Sequence, residues 1–231
     1  MRRIKTSLCL VALVSAVMML AACGGGSDDA ADKVAAAYYE EELNKHDLEL
    51  RLLGPVKKWE TEMNSRKKSV EGKIMMMTIG FYHEQEDAPQ GRYFVMQNDG
   101  KEWTVRSMTK STFYPKEKYE EMTKDVKQAD KPEPQFGPQE QAALDAWKEK
   151  IAGRRDFLGK EITDPDLVAK NAESYRESYG EYIDCFVDEG SEKWTSEDGG
   201  QVRLKVCHEK KDDQFAVRVQ RQPDGSWAAS Y

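Results

Sequence analysis

Residues 75–81 have the sequence MMMTIGF, and residues 202–207 have the sequence VRLKVC. In both stretches every second side chain is apolar, which predicts a half-buried β-strand. The turns Asn98-Asp99-Gly100 and Pro223-Asp224-Gly225 follow these strands and are typical of β-hairpins. Each half of the chain is therefore predicted to contain an antiparallel sheet.

Segments with helical periodicity precede both groups of strands. Residues 34–53 are dense in helix formers and carry apolar side chains three and four residues apart. Gly54-Pro55 ends this helix, and the spacing of apolar residues over 56–63 predicts a second one. In the second half, residues 144–151 have one apolar helical face, and Asp164-Pro165 is typical of the start of a further helix.

The predicted fold class is α+β, with two small domains that each pack N-terminal helices on an antiparallel sheet. A proline-rich stretch separates the two halves, and it is either a linker or a surface loop within one domain. The predicted division is a signal peptide at 1–22, a flexible tether at 23–33, a first α+β domain at 34–127, a linker at 128–141 and a second α+β domain at 142–231.

The two halves also suggest a degenerate internal duplication. A shift of the sequence by 125 residues, with no gap, places His83-Glu84 on His208-Glu209 and Asp99-Gly100 on Asp224-Gly225. The same shift aligns the alternating apolar residues of the two strands. Few identities support this alignment, so a chance similarity of two hairpins is the alternative.

The N-terminus has the organisation of a secretory signal. Arg2, Arg3 and Lys5 precede an apolar segment at 8–20, which is too short to span a bilayer stably. The segment ends in Leu20-Ala21-Ala22-Cys23, which resembles the lipobox of bacterial lipoproteins. The alternative is an ordinary signal peptide with a cysteine after its cleavage site.

The lipoprotein resemblance implies that Cys23 carries the lipid and becomes the first residue of the mature chain. Gly24 follows the cysteine, and a residue other than aspartate at this place implies the periplasmic face of the outer membrane. No later stretch has the length of apolar residues that a transmembrane helix needs. We therefore expect a body that is held at the membrane by its lipid anchor.

The mature chain is acidic. The 35 Lys and Arg and 42 Asp and Glu of the whole chain include three basic residues in the signal, so cleavage takes the net charge from −7 to 32 − 42, about −10. Such a charge is unfavourable for binding nucleic acid or anionic lipid head groups. We therefore expect no nucleic-acid partner.

Two of the four cysteines remain in the mature body. Cys9 lies in the signal and Cys23 is the lipidation site, which leaves Cys185 and Cys207. In an oxidising periplasm such a pair is expected to form a disulfide. A redox-active pair is the alternative, although the two residues do not form a Cys-x-x-Cys motif.

The sequence contains few features of an active site. The three histidines, His46, His83 and His208, have no spacing typical of a zinc site. Nucleophile-elbow, zinc-protease and phosphate-loop motifs are absent from the sequence. We therefore predict no catalytic residue, no metal site and no cofactor. His83 and His208 could each supply a base, but both are more typical of polar residues at strand ends.

Tyrosines form the most suggestive binding feature. Tyr175, Tyr179 and Tyr182 lie on one helical face, and Trp194 follows beyond the next strand. Such side chains can line a pocket for a small ligand or contact a protein. The alternative is that they form ordinary core packing against the sheet.

The body has a weak resemblance to small cone-like α+β domains. Tyr38-Tyr39, Asn44-Lys45-His46-Asp47 and the segment Asp99-Gly100-Lys101-Glu102-Trp103 resemble the start and the closing strand of nuclear-transport-factor-2-like and cystatin-like domains. That resemblance implies a shape but no particular function, because such folds contain enzymes, ligand binders and spacers alike.

Together these features predict a non-catalytic envelope lipoprotein with a protein-interaction or spacer role. Its expected partners are the membrane, through the lipid anchor, and another envelope protein. The alternative is a lipoprotein that binds a small ligand, or inhibits a toxin as an immunity protein does, through an aromatic pocket.

Overall fold

The computed structural model describes residues 28–60, 66–114, 116–123, 136–156, 158–188 and 196–230. The first half consists of α1 (Asp28–Lys45), α2 (Asp47–Leu53), β1 (Val56–Glu60), β2 (Lys67–Lys68), β3 (Ile74–His83), β4 (Gln90–Asn98), β5 (Trp103–Ser111) and α3 (Lys116–Thr123). Its antiparallel strands form sheet 1, in the order β1-β3-β4-β5, and β2 pairs with β3.

The second half consists of α4 (Pro138–Ile151), α5 (Pro165–Tyr179), β6 (Tyr182–Val187), β7 (Gly199–His208), β8 (Asp213–Arg221) and β9 (Trp227–Ser230). These strands form sheet 2, also antiparallel, in the order β6-β7-β8-β9. The α+β class predicted from the sequence is confirmed. Over the described residues, no helix combines the length and the apolar character needed to cross a bilayer.

Each half buries one helix against one face of its own sheet. In the first half α1 contributes Ala31, Ala35, Tyr39 and Leu43, which recur every four residues and form one apolar stripe. In the second half α4 does the same, and Trp147 is fully buried there. The alternating residues of β3 and β7 face these helices, which explains the period of two in both segments.

The opposite faces of the two sheets contact each other. Ile74 of β3 packs with Phe186 of β6 and Cys207 of β7, and all three are buried. Arg106 of β5 extends the contact by donating to the His208 carbonyl. The halves are therefore joined by a shared apolar layer between the backs of their sheets.

Asp184 stabilises the contact between the two halves. Its carboxyl group is fully buried and accepts hydrogen bonds from the Ser69 hydroxyl and from the backbone N–H groups of Glu71 and Lys73, the latter two at 3.1 and 3.0 Å. The Val70 N–H also donates to the Cys185 carbonyl at 2.8 Å. The turn between β2 and β3 is thus held on the edge strand of sheet 2.

The strand pair β1–β3 of the first half corresponds residue by residue to the pair β6–β7 of the second. A shift of 125 takes β3 onto β7 over their full lengths, and β1 pairs with β3 in the same register as β6 pairs with β7. Both pairs have a register shift at the same point, between Val56 and Lys58 and between Tyr182 and Asp184. This correspondence agrees with the predicted repeat, while the duplication itself stays a prediction.

Several boundaries differ from those predicted. The helix predicted over 56–63 is wrong, because Val56–Glu60 forms an edge strand that gains its hydrogen bonds from β3. The helix predicted over 34–53 is interrupted at His46 and begins earlier, at Asp28. Residues 28–33 of the predicted tether belong to α1, where Ala31 is buried, and residues 23–27 lie outside the described residues. The linker at 128–141 also ends sooner, because α4 begins at Pro138.

Candidate functional site

His83 and His208 occupy equivalent places at the ends of β3 and β7. Both side chains are buried, with exposed fractions of 0% and 1%. Gly54 and Gly180 lie beside them, with φ angles of 74° and 76°. A Cβ at these glycines would lie 3.2 Å from Glu84 Cβ and 2.9 Å from Glu209 Cβ, so both positions favour glycine.

The His83 site, which comprises Tyr39, His83 and Arg92, is polar. His83 Nδ1 lies 2.7 Å from the Gly54 carbonyl oxygen, and Nε2 lies 3.1 Å from the Tyr39 hydroxyl. Because a carbonyl can only accept, the neutral ring carries its proton on Nδ1 and accepts the Tyr39 hydroxyl proton at Nε2. Burial raises the pKa of Tyr39 to about 12, against the opposing effect of Arg92. This hydroxyl therefore remains a donor at neutral pH.

Arg92 extends the His83 site to a small cavity. Its guanidinium lies over the rings of Tyr39 and Phe81, 4.9 and 5.4 Å from their centroids. The cavity has a volume of about 170 Å³ and lies between α1, α2 and the strands β4 and β5. It is a polar opening beside an otherwise apolar helix–sheet core.

The His208 cluster, which comprises Trp147, Tyr175, Tyr179, Tyr182 and His208, is aromatic. The His208 ring centroid lies 4.9 Å from that of Trp147 and 5.3 Å from that of Tyr179. Within the described residues, neither ring nitrogen has a hydrogen-bond partner of good geometry. Burial lowers the pKa of His208, and the smaller influences of the Gly180 carbonyl and Asp213 raise it. The neutral ring is therefore favoured.

The three predicted binding tyrosines are brought together in this cluster. Tyr175 and Tyr179 stack at 4.6 Å, and the Tyr175 hydroxyl donates to Asp213 Oδ2 at 2.8 Å. These contacts hold α5 against β7 and β8 of sheet 2, and both tyrosines remain half-buried there. Tyr182 also borders an open cleft. Trp194 lies outside the described residues.

The cleft lies between the two halves and has a volume of about 580 Å³. Its walls include Lys73, Asp99 and Trp103 from the first half, with Tyr182 and Ile183 from the second. Among the described residues, the Trp103 indole N–H is buried without a hydrogen-bond partner, and the Tyr182 hydroxyl has only the Cys185 thiol beside it. The cleft is large enough for a small organic ligand.

The predicted disulfide between Cys185 and Cys207 is wrong for this structure. Both thiols are free and buried. Cys185 belongs to the core under α4, whereas Cys207 belongs to the layer between the sheets. Their side chains therefore lie on opposite faces of sheet 2, and a disulfide would require one strand to change its register. Cys23, the predicted lipidation site, lies outside the described residues.

Two residues of this description were not singled out from the sequence. Arg92 and Asp184 are charged residues within strands, and each occupies a position at which the alternation along its strand predicts an apolar side chain. That interruption of the pattern is the signal that could have identified them. Among the described residues, no group of three or more His, Cys, Asp or Glu side chains is placed to hold a metal ion.

Comparisons with known proteins give little further information. No protein-family model matches the chain, and no curated protein matches it. A similar solved structure is a cystatin-like protein from Ruminococcus gnavus, 14% identical, with a TM-score of 0.21 and a match that covers 86% of this chain and 70% of that one. At this TM-score the similarity carries no argument about function.

Proposed function

We propose that this chain is a non-catalytic bacterial envelope lipoprotein, anchored by acyl chains on Cys23, whose body binds another envelope protein. The observation that carries the proposal is Leu20-Ala21-Ala22-Cys23 after a basic and then apolar N-terminal segment. Gly24 favours the periplasmic face of the outer membrane as the location. The acidic mature chain makes acyl chains, rather than a basic surface, the means of attachment.

The short connection to the body supports a position close to the membrane. The helix α1 begins at Asp28, five residues after Cys23. Five residues span at most about 18 Å when fully extended. A Cys23 anchored in the bilayer would therefore hold the start of α1 next to the lipid head groups. A spacer role would then depend on the dimensions of the body itself.

The helix α2 supplies a candidate contact for a protein partner. None of its residues is buried, and Leu48 and Leu52 are 67% and 64% exposed. They lie four residues apart and so are neighbours on one helix face. Exposed apolar side chains grouped in this way favour a contact with another protein.

Lipidation is tested by the mass of the mature protein isolated from membranes of its host. We expect the peptide that begins at Cys23 to carry acyl chains, and Cys23→Ala to abolish both acylation and membrane retention. Cys9→Ala, in the signal segment, is the matched control and should leave acylation intact. An unmodified N-terminus at Cys23 would contradict the proposal.

Partner binding is tested by crosslinking in native membranes followed by affinity purification and mass spectrometry. We expect a reproducible envelope protein that the double variant Leu48→Glu/Leu52→Glu loses. Leu158→Glu/Leu167→Glu changes two exposed leucines of the second half and should retain it. If all three proteins recover the same partner, α2 is not the contact; if none recovers one, the interaction role is wrong.

Small-ligand binding is a second candidate function. Its support is the cleft between the halves, where Tyr182 and Trp103 place aromatic surface beside the buried, unpartnered indole N–H of Trp103. This cleft replaces the tyrosine face of α5 as the place where a ligand would bind. A ligand screen by protein-observed NMR, with chemical-shift changes at Trp103 Nε1–H as the readout, tests this candidate.

A further inference from the structure

The comparison of the two halves singles out Arg92. In sheet 1 Arg92 lies opposite Ile79, and in sheet 2 the corresponding partner of Leu204 is Phe215. Phe215 is part of the apolar core under α4. The first half therefore places a guanidinium at a position that the second half fills with an apolar ring. Its burial carries a desolvation penalty that the packing of the fold does not require.

Arg92 is incompletely neutralised where it lies. Its exposed fraction is 6%, and it donates to the Gly91 carbonyl at 3.0 Å, to Glu49 at 3.4 Å, and to the Tyr39 hydroxyl and Gln90 Oε1 at 3.5 Å each. Charge-assisted hydrogen bonds normally measure about 2.7–2.9 Å. The contact to Glu49 is therefore weak, and Glu49 itself is one-third exposed.

A second cation increases the local positive charge. Lys110 lies directly opposite Arg92 on the neighbouring strand β5. Like charges in this arrangement destabilise a sheet. Glu42, the other acidic side chain at the cavity, is paired with Lys45 at 2.7 Å. Lys45 also pairs with Glu41 at 3.0 Å, so Glu42 is only partly neutralised. The wall of the cavity thus carries the cations Arg92 and Lys110 and the carboxylates Glu42 and Glu49.

The cavity beside Arg92 is small. It is lined by Tyr39, His46, Glu49, Arg92, Thr109 and Lys110, among others, and its volume of about 170 Å³ is less than a third of that of the cleft between the halves. A ligand there must be compact. Arg92 and Lys110 can contact a small anion there, and such an anion would have to take the place of Glu49 at Arg92 because the cavity already contains two carboxylates.

We propose that this cavity binds a small carboxylate, which forms paired hydrogen bonds with the Arg92 guanidinium in place of Glu49. Planar guanidinium and carboxylate groups match in this geometry. The Tyr39 hydroxyl donates its proton to His83 Nε2 and accepts from Arg92, so it orients the guanidinium and does not itself donate to the ligand. The carboxylate is that of a free short-chain acid or of a peptide C-terminus, since both present the same group. This site uses neither the lipid anchor nor the exposed Leu48 and Leu52 of α2, although Glu49 of α2 lines it.

The test is an NMR titration of the folded mature body with acetate and propionate, followed at the Arg92 Nε–H and at the Thr109 and Lys110 amides. We expect saturable shifts with a dissociation constant on the order of 1 mM. Acetamide has the same shape without the charge and should produce none. N-acetylalanine and its C-terminal amide distinguish a peptide terminus from a free acid, because only the terminus source predicts that N-acetylalanine also binds.

Two kinds of variant test the geometry. Glu49→Gln removes the competing carboxylate and should tighten acetate binding, by up to about fivefold, the value of a partly exposed ion pair. Asp47→Asn makes the same charge change on α2 outside the cavity and should not. Arg92→Met should abolish binding, and Arg92→Lys should weaken it strongly.

Because Glu49→Gln leaves the buried core intact, it remains informative even if the Arg92 variants do not fold. Absence of saturable acetate shifts in both the wild type and Glu49→Gln would overturn the proposal. Equal binding by acetate and acetamide, or by wild type and a folded Arg92→Met, would overturn it as well. None of these outcomes bears on lipidation or on the α2 contact.

Discussion

The two halves of the molecule bury a histidine at the same point of the same strand pairing, yet they surround it differently. His83 has hydrogen-bond partners for both ring nitrogens and lies near a cavity, whereas His208 is enclosed by aromatic rings. The backbone has the same conformation at both histidines, including the glycine beside each ring. The side chains of the covering helix and of the neighbouring strand therefore determine whether this part of the fold is polar and open or apolar and closed.

The largest effect is expected where the halves differ most in their edge strands. Asp184 is buried against the turn at 69–73, while the equivalent residue of β1 is the exposed Lys58. Asp184→Ala leaves the Ser69 hydroxyl and two backbone N–H groups without their acceptor. We expect it to lower the free energy of unfolding by about 3–5 kcal/mol. Urea denaturation measures this change.

Lys58→Ala is the matched control and should change stability by less than about 0.5 kcal/mol. Equal effects of the two substitutions would show that Asp184 does not hold the halves together. Asp184→Asn retains the shape and one acceptor oxygen, so its effect should lie between those of Asp184→Ala and the wild type.

A smaller loss of stability is expected when the hydrogen bond between Tyr39 and His83 is removed, a contact that His208 lacks. Tyr39→Phe removes the hydroxyl that donates to His83 Nε2 and leaves that buried nitrogen unpaired. We expect a loss of about 1–3 kcal/mol in the free energy of unfolding. Tyr38→Phe changes an exposed neighbour on α1 and should have no measurable effect. A Tyr39→Phe protein as stable as the wild type would mean that the hydrogen bond contributes nothing to the His83 site.

The comparison also shows what could be predicted from the sequence. The strands β3 and β7 were predictable because a period of two is a local pattern, and α5 because Asp164 caps it through the N–H groups of Asp166 and Leu167. The strand β1 was not, because Val56 and Trp59 are spaced as in a helix. That segment becomes a strand through pairing with residues twenty or more positions away.

Whether the site residues could be predicted depended on the same difference between local sequence patterns and contacts between residues distant in sequence. The three tyrosines share a helix face and its following strand, so their proximity was predictable, but whether they line a pocket depends on how α5 packs. The disulfide prediction required the register between β6 and β7, which sequence separation does not give. The roles of Arg92 and Asp184 could not be predicted, because both residues act through contacts between elements that are distant in sequence.

The dependence of stability on pH provides a third test of the difference between the histidines. The pKa of His208 is lowered in the folded protein because burial disfavours the charged ring. Below its ordinary value of about 6.5 the unfolded chain binds a proton that the folded chain resists, so stability falls as the pH falls toward the folded pKa. The slope cannot exceed about 1.4 kcal/mol per pH unit for one group.

Urea denaturation between pH 7.5 and 5.5 measures this slope. His208→Gln should reduce it, because the non-titrating side chain removes the linkage. Leu167→Gln introduces the same amide at an exposed, non-titrating position of the second half and should leave the slope as it is in the wild type. A slope unaffected by His208→Gln would assign the dependence to other groups and remove this difference between the halves.

No effect on stability is expected from a reductant, because the two thiols are free. The positions of Cys185 and Cys207 correspond to Trp59 and Tyr82 in the first half, which also face opposite sides of their sheet. Burial raises the pKa of Cys185 to about 11 and that of Cys207 to about 12, so both thiols should react slowly until the protein unfolds. A reductant should therefore leave the unfolding free energy unchanged. A disulfide across this separation would instead make the reductant lower it by roughly 3 kcal/mol, and that result would require a different register between β6 and β7.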